Sequence, residues 1–171
     1  MTGVDEASWV GLYRELEKPL YNVVYRWLWD RMESQDVVQE AFLRCWHARG
    51  GIRPEGFKAY VYRTALNLAS NRRRSKKLWR LVSFDALREE PPDGNDVAPV
   101  LSREVQKAVD GLPDPLKRVL FLSELAGMSY GEIAAVTGVE EGTVGSRRNR
   151  ALALLRKQLE PREGVPDANR A

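Results

Sequence analysis

Between Gly127 and Ala151 the chain sets hydroxyls and guanidiniums at helical spacing along one face of a short segment. Thr143, Ser146, Arg147 and Arg150 recur at i, i+3, i+4 and i+7, while Val144, Ala151 and Leu155 fall on the opposite side. The chemistry of such a set is hydrogen bonding to bases. Arginine can bind guanine bidentately in the DNA major groove, and Ser or Thr can donate or accept at several base edges. A helix that packs with one side and offers these groups with the other suits that groove. The competing reading is an ordinary amphipathic hairpin with a solvated charged face. The preceding residues must position this helix: Ser129 and Glu132 have the spacing of a capping box, Ile133, Ala134 and Val136 supply an apolar side, and Gly138 can take the left-handed conformation that stops a helix.

Groups able to do covalent chemistry are few. The single cysteine, Cys45, and the single histidine, His47, stand two residues apart, and such positions do not face each other on a helix. There is no metal-ligand cluster and no glycine-rich phosphate loop, so neither a metal nor a cofactor is expected and an enzyme is disfavoured. Cys45 lies beside Phe42 and Trp46 and reads as a buried, inert thiol. One cysteine cannot build an intramolecular disulfide framework, which fits a reducing cytoplasm. The opening Met-Thr-Gly-Val-Asp-Glu is acidic and resembles no secretion signal. No apolar run approaches the roughly 20 residues needed to span a bilayer.

The 171 residues have room for one large domain or two small ones, and 43% hydrophobic with 30% charged residues fits a globular chain. Net charge is only +3, but it is unevenly placed. From Gly56 to Phe84 stand eight basic residues and no acidic one: Lys58, Arg63, Arg72, Arg73, Arg74, Lys76, Lys77 and Arg80. From Asp85 to Glu104 the balance turns acidic, and from Gly142 to Leu159 basic again. Two basic blocks parted by an acidic, proline-bearing stretch suggest two nucleic-acid contacts on one tether.

The periodicity is helical throughout, with no convincing strand. A first helix is expected from about Asp5 to Glu17, and a second from Pro19 at its first turn, with Leu20, Val23, Val24, Trp27 and Leu28 inward. Ser34 is expected to cap a third, buried along Val37, Val38, Ala41, Phe42 and Cys45 and ended by Gly50-Gly51. A fourth follows Pro54, with Phe57, Tyr60, Val61, Thr64, Ala65 and Leu68 at helical spacing. These four would enclose a core over residues 5–82. Residues 83–101, with Pro91-Pro92, Asp93-Gly94-Asn95 and Pro99, read as a mobile linker. Residues 102–160 then read as helices capped at Ser102 and Asp114, followed by the helix-turn-helix, and 161–171 as a polar tail.

Taken together, the two halves resemble a bacterial sigma factor of the extracytoplasmic-function (ECF) group of the sigma-70 family. Three segments carry the likeness: Ser34-Gln-Asp-Val-Val-Gln-Glu-Ala-Phe-Leu-Arg-Cys-Trp46, Phe57-Lys-Ala-Tyr-Val-Tyr-Arg-Thr-Ala-Leu-Asn-Leu-Ala-Ser-Asn71 with the basic residues after it, and Leu112-Pro113 onward through Ala151. The fold this implies is all-α: a sigma region 2 domain and a sigma region 4 helix-turn-helix domain on a flexible linker. The implied partners are core RNA polymerase, through its β′ and β subunits, promoter DNA and an anti-sigma factor. The implied place of action is the cytoplasm.

The resemblance also implies roles for residues. The Asp-x-Val-Gln-Glu helix docks on a basic coiled coil of the β′ subunit. Asp36, Gln39, Glu40 and Leu43 form the mixed acidic and apolar stripe suited to it. The following helix holds the melted −10 strand with a base flipped out, which needs a cationic track and a polar pocket. Asn67 and Asn71 carry amides one turn apart, and Arg72, Arg73, Arg74, Lys76 and Lys77 supply the track. Tyr60 or Tyr62 can offer a stacking face; Trp79 can stack on a base or close the domain. For the −35 duplex the family places Gly145, Ser146, Arg147, Asn149 and Arg150 near DNA, beside Thr143. Two positions depart from the family pattern. Gly145 stands where a basic residue is common, and Arg148 where an apolar one is usual, so that it must snorkel over the core edge or turn to phosphate. The alternative is a stand-alone helix-turn-helix regulator, which leaves the Asp36 helix and the asparagine segment without a task.

Overall fold

The computed structural model describes residues 5–82 and 102–160, and every regular element among them is helical. Helix α1 runs Glu6–Leu28, α2 Arg31–Ala48 and α3 Phe57–Val82, with 3₁₀ turns at Arg49–Gly51 and Pro54–Gly56 before α3. The second half holds α4 (Arg103–Asp110), α5 (Asp114–Glu124), α6 (Tyr130–Thr137) and α7 (Glu141–Leu159). The expected linker and tail lie outside the described residues.

The first two expected helices are one. Pro19 sits inside α1 without breaking it. A proline in a helix interior forfeits a backbone bond and costs about 3 kcal/mol. Leu16, Leu20, Val23 and Val24, all at most 2% exposed, form an unbroken stripe on both sides of it. Each such burial contributes about 1.5–3 kcal/mol, so together they offset the proline. The N-terminal half is therefore three helices around an aromatic centre, where Trp9 meets Phe42 and Phe57 edge-on at 5.9 and 5.1 Å.

The break comes ten residues later, at Trp29. Its backbone is left-handed (φ 56, ψ 27), a conformation bulky residues rarely adopt, and its N–H closes α1 on the Tyr25 carbonyl at 2.7 Å. Asp30, not Ser34, then caps α2 by accepting from the Glu33 N–H at 2.9 Å. Ser34 is already inside the first turn, buried, with its hydroxyl donating to the Asp30 carbonyl. Asp114 is likewise one position further in than expected: Pro113 takes the cap position of α5 without a side-chain bond. Ser102 does cap α4, accepting from the Val105 N–H at 3.3 Å.

Of the two tyrosines that could offer a stacking face, one lies in the core. Tyr62 is 1% exposed and belongs to the core, whereas Tyr60 looks outward. Cys45 is buried as expected, and burial pushes its thiol up to about 12 despite a bond with Thr64.

The two halves share one core. Trp27 of α1 meets Phe121 of α5 edge-on at 5.8 Å, and Val119, Leu122, Ile133 and Val136 join the apolar cluster of the N-terminal half. Polar contacts stitch the same seam. Lys58 pairs with Glu132 at 2.8 Å, and Arg63 donates to the Val136 carbonyl at 3.0 Å and to the Ala135 carbonyl. Among the described residues, no helix is long and apolar enough to cross a membrane.

Candidate nucleic-acid interface

The turn between α6 and α7 is built as its residues require. Ser129 accepts from the Glu132 N–H at 3.3 Å while the Glu132 carboxylate accepts from the Ser129 N–H at 2.8 Å, a reciprocal box that satisfies two orphan donors. The box also places Glu132 beside Lys58, and these hydrogen bonds hold its carboxyl below the ordinary value. Gly138 ends α6 at φ 72, ψ 26, where a side chain would be strained. Val144 and Ala151, both fully buried, then fix the rotation of α7.

That rotation sends Ser146, Asn149 and Arg150 fully outward, with Thr143 and Arg147 half-buried beside them. The Ser146 hydroxyl donates to the Thr143 carbonyl at 3.0 Å. Among the described residues, no carboxylate pairs with Arg147 or Arg150. The outer face of α7 thus offers donors that no carboxylate among the described residues neutralises.

Both departures in this helix have structural reasons. Arg148 neither snorkels nor turns outward: it donates to the Glu124 carboxylate at 2.7 and 2.9 Å and to the Ser123 hydroxyl at 3.1 Å, tying α7 to the end of α5. The Glu124 contact raises its guanidinium value further. At Gly145 a Cβ would stand 3.3 Å from the ring of Tyr130, so the small residue lets that tyrosine lie across the helix.

The α3 residues divide into two groups. Asn71, Arg74 and Lys77 are exposed. The others are engaged within the protein. Arg72 donates to Glu40 at 3.2 Å and lies 3.9 Å from Asp36, and Lys76 pairs with Asp30 at 3.2 Å and Glu33 at 3.0 Å. Arg73 pairs with Asp110 at 3.3 Å, and Asn67, though exposed, accepts from Arg118 at 3.0 Å. Trp79 is 71% exposed at the end of the basic run. On α2, Asp36, Gln39 and Leu43 look outward with Glu40 half-buried, and Met32 at 73% exposure extends the apolar part of that stripe. Sequence reasoning passed over Met32, although its place four residues before Asp36 was a usable signal.

Comparison with known proteins separates the same two halves. Residues 12–78 match Sigma-70 region 2 and residues 102–155 match Sigma-70 region 4. The ECF RNA polymerase sigma factor SigE of Mycolicibacterium smegmatis is 29% identical over 89% of this chain, which spans 62% of that protein's length. The RNA polymerase sigma-H factor of Pseudomonas aeruginosa is 30% identical, with 92% of this chain and 89% of that protein covered. The fold matches that of CnrH, solved in complex with the cytosolic domain of CnrY, at a TM-score of 0.69 and 24% identity over 91% of this chain and 89% of that one. With both regions in order on an all-helical frame, the chain belongs to the extracytoplasmic-function group of sigma-70 factors, which direct RNA polymerase to promoters.

Proposed function

We propose that three faces of this chain divide the work of promoter recognition, by binding and not by catalysis. The α2 stripe of Asp36, Gln39, Glu40 and Leu43 docks on a basic surface of core RNA polymerase. Asn67, Asn71, Arg72, Arg73, Arg74, Lys76 and Lys77 on α3 hold the melted −10 strand by phosphate and base contacts. Thr143, Ser146, Arg147, Asn149 and Arg150 on α7 read the −35 duplex. The observation that carries the reading is the outer face of α7. Its hydroxyls, amide and guanidiniums, which no carboxylate pairs among the described residues, stand on a helix whose rotation is set by Val144 and Ala151. Two modest contacts on one chain gain from effective concentration, which supports the need for both halves. The chain acts in the cytoplasm, where the polymerase is, and is held in check by an anti-sigma factor. The sigma factor RpoE of Bartonella quintana, which shares this fold, was solved in complex with the anti-sigma factor NepR, and this supports the last point.

The test is run-off transcription with purified core polymerase on a genomic promoter library, joined to a gel shift with and without core enzyme. Polymerase-dependent, sequence-selective initiation is expected. Tight selective duplex binding by the chain alone, with no transcription, would instead make it a stand-alone regulator.

A further inference from the structure

Helices α6 and α7 exchange side chains where they approach most closely. Tyr130, the first residue of α6, lies over Gly145 of α7, where a Cβ would stand 3.3 Å from its ring. Glu141, the first residue of α7, lies over Gly131 of α6, where a Cβ would stand 3.1 Å from its carboxylate. Tyr130 is 39% exposed, so its ring covers Gly145 and yet stays accessible. The polar end of that ring is already engaged. Arg148, bonded to Glu124 and Ser123, faces the Tyr130 hydroxyl as well, and this contact adds to the rise that Glu124 gives its guanidinium.

The place of the ring around α7 decides what it can meet. Measured from Val144, which is fully buried, Gly145 lies at about 100° around the helix and Asn149 at about 140°. Gly145 therefore borders the outer face on the Asn149 side, with Arg147 and Arg150 on the other border. Tyr130 widens the face there. A DNA phosphate is disfavoured at that border, because Glu141 sets a carboxylate beside Gly131, next to Tyr130, and no cation pairs with it among the described residues. The hydroxyl is turned to Arg148, so the group left to offer is the carbon edge of the ring. In the major groove an apolar edge finds its match in the C5-methyl group of thymine.

We propose that Tyr130 is a further specificity-determining residue, whose ring, lying across Gly145, reads the methyl group of one thymine in the −35 duplex. The inference rests on the reading of α7 as the −35 helix and adds a residue from the neighbouring helix to it. Gly145 and Arg148 act through the tyrosine as positioning residues. The glycine leaves room for the ring across α7, and the arginine holds the hydroxyl end away from the bases.

The test uses the full chain with core polymerase on a promoter recovered by run-off selection. Each thymine of the −35 element, on either strand, is replaced in turn by deoxyuracil, which lacks only the methyl group. In the parent chain one replacement should weaken binding about fourfold, the effect of burying one methyl group. At that position Tyr130→Ala should bind thymine and uracil alike, whereas Tyr130→Phe should still discriminate. Gly145→Ala, which pushes the ring aside, should lose most of the difference, and it carries the test if the alanine variant at Tyr130 fails to fold. A parent chain indifferent to every methyl, or a discrimination that survives Tyr130→Ala, overturns the proposal. Discrimination lost in Tyr130→Phe assigns the contact to the hydroxyl and overturns the methyl reading. Arg147→Ala and Arg150→Ala separate this inference from its foundation: if both leave −35 binding unchanged, the assignment of α7 itself falls.

Discussion

Arg72 donates to the Glu40 carboxylate at 3.2 Å, which joins the α3 basic track to the acidic stripe of α2. In the free protein the two proposed faces therefore neutralise one another. On the proposed assignment, a basic polymerase surface that took Glu40 would free Arg72 for phosphate. The partly exposed pair is worth about 0.2–1 kcal/mol to the fold. A charge-assisted bond across a desolvated interface is worth about 1.5–3 kcal/mol. Glu40→Gln should then leave stability nearly unchanged and weaken core-polymerase binding by that larger amount. Competition with a labelled sigma factor for core enzyme measures it. An unchanged affinity removes Glu40 from the docking stripe.

Neighbouring arginines on α7 should respond differently. Arg147→Ala or Arg150→Ala should each weaken promoter binding by about 1–3 kcal/mol if the residue reads a base. Arg148 spends its guanidinium on Glu124 and Ser123. Arg148→Ala should lower the melting temperature and leave base preference at the −35 element alone. Footprints on a randomised −35 element separate the two behaviours. A preference changed by Arg148→Ala, or untouched by the other two, reverses the assignment.

Legibility along the chain followed the range of the forces involved. The capping box at Ser129, the stop at Gly138 and the buried side of α7 depend on neighbours within one or two turns, and all could be read from spacing. Pro19 misled because a local penalty was outweighed by burial from Leu16 to Val24 on both sides of it in α1. Asp30 was missed because the break before it is set by Trp29, a residue with no propensity for left-handed backbone. Glu33, three residues after Asp30, was nevertheless a visible cap signal. The seam contacts of Arg63 and Arg118 were beyond reach. They join positions 73 and 51 residues apart, which no helical period links.

Gly145 poses a contest that magnitudes can decide. Alanine in a helix interior gains about 0.8–1 kcal/mol over glycine. The new Cβ would meet the Tyr130 ring at 3.3 Å, so the ring must give by a few tenths of an ångström. Tyr130 is 39% exposed and can swing outward at small cost. Gly145→Ala should therefore stabilise the fold by roughly 0.5 kcal/mol, the net of the two effects. Chemical denaturation measures the difference, and a loss of stability would show that the ring is held in place.

Asp30 gives the acid side of the stability curve. Burial alone would raise its carboxyl, but the Glu33 N–H and the Lys76 ammonium outweigh burial and hold it below the ordinary value. A depressed carboxylate contributes stability that is fully present above the unfolded value, about 4, and is lost as pH falls through the folded one. Asp30→Ala removes the α2 cap and should cost about 1 kcal/mol at neutral pH. Asp30→Asn keeps an acceptor for Glu33 and loses only the charge facing Lys76 and the helix terminus, about 0.3–1 kcal/mol. The gap between wild type and Asp30→Asn should shrink as pH drops below about 4, whereas the alanine variant should remain less stable than either. Urea titrations at neutral pH and at pH near 3 decide it: a gap that does not change with pH would mean that the Asp30 charge adds nothing beyond its role as a cap.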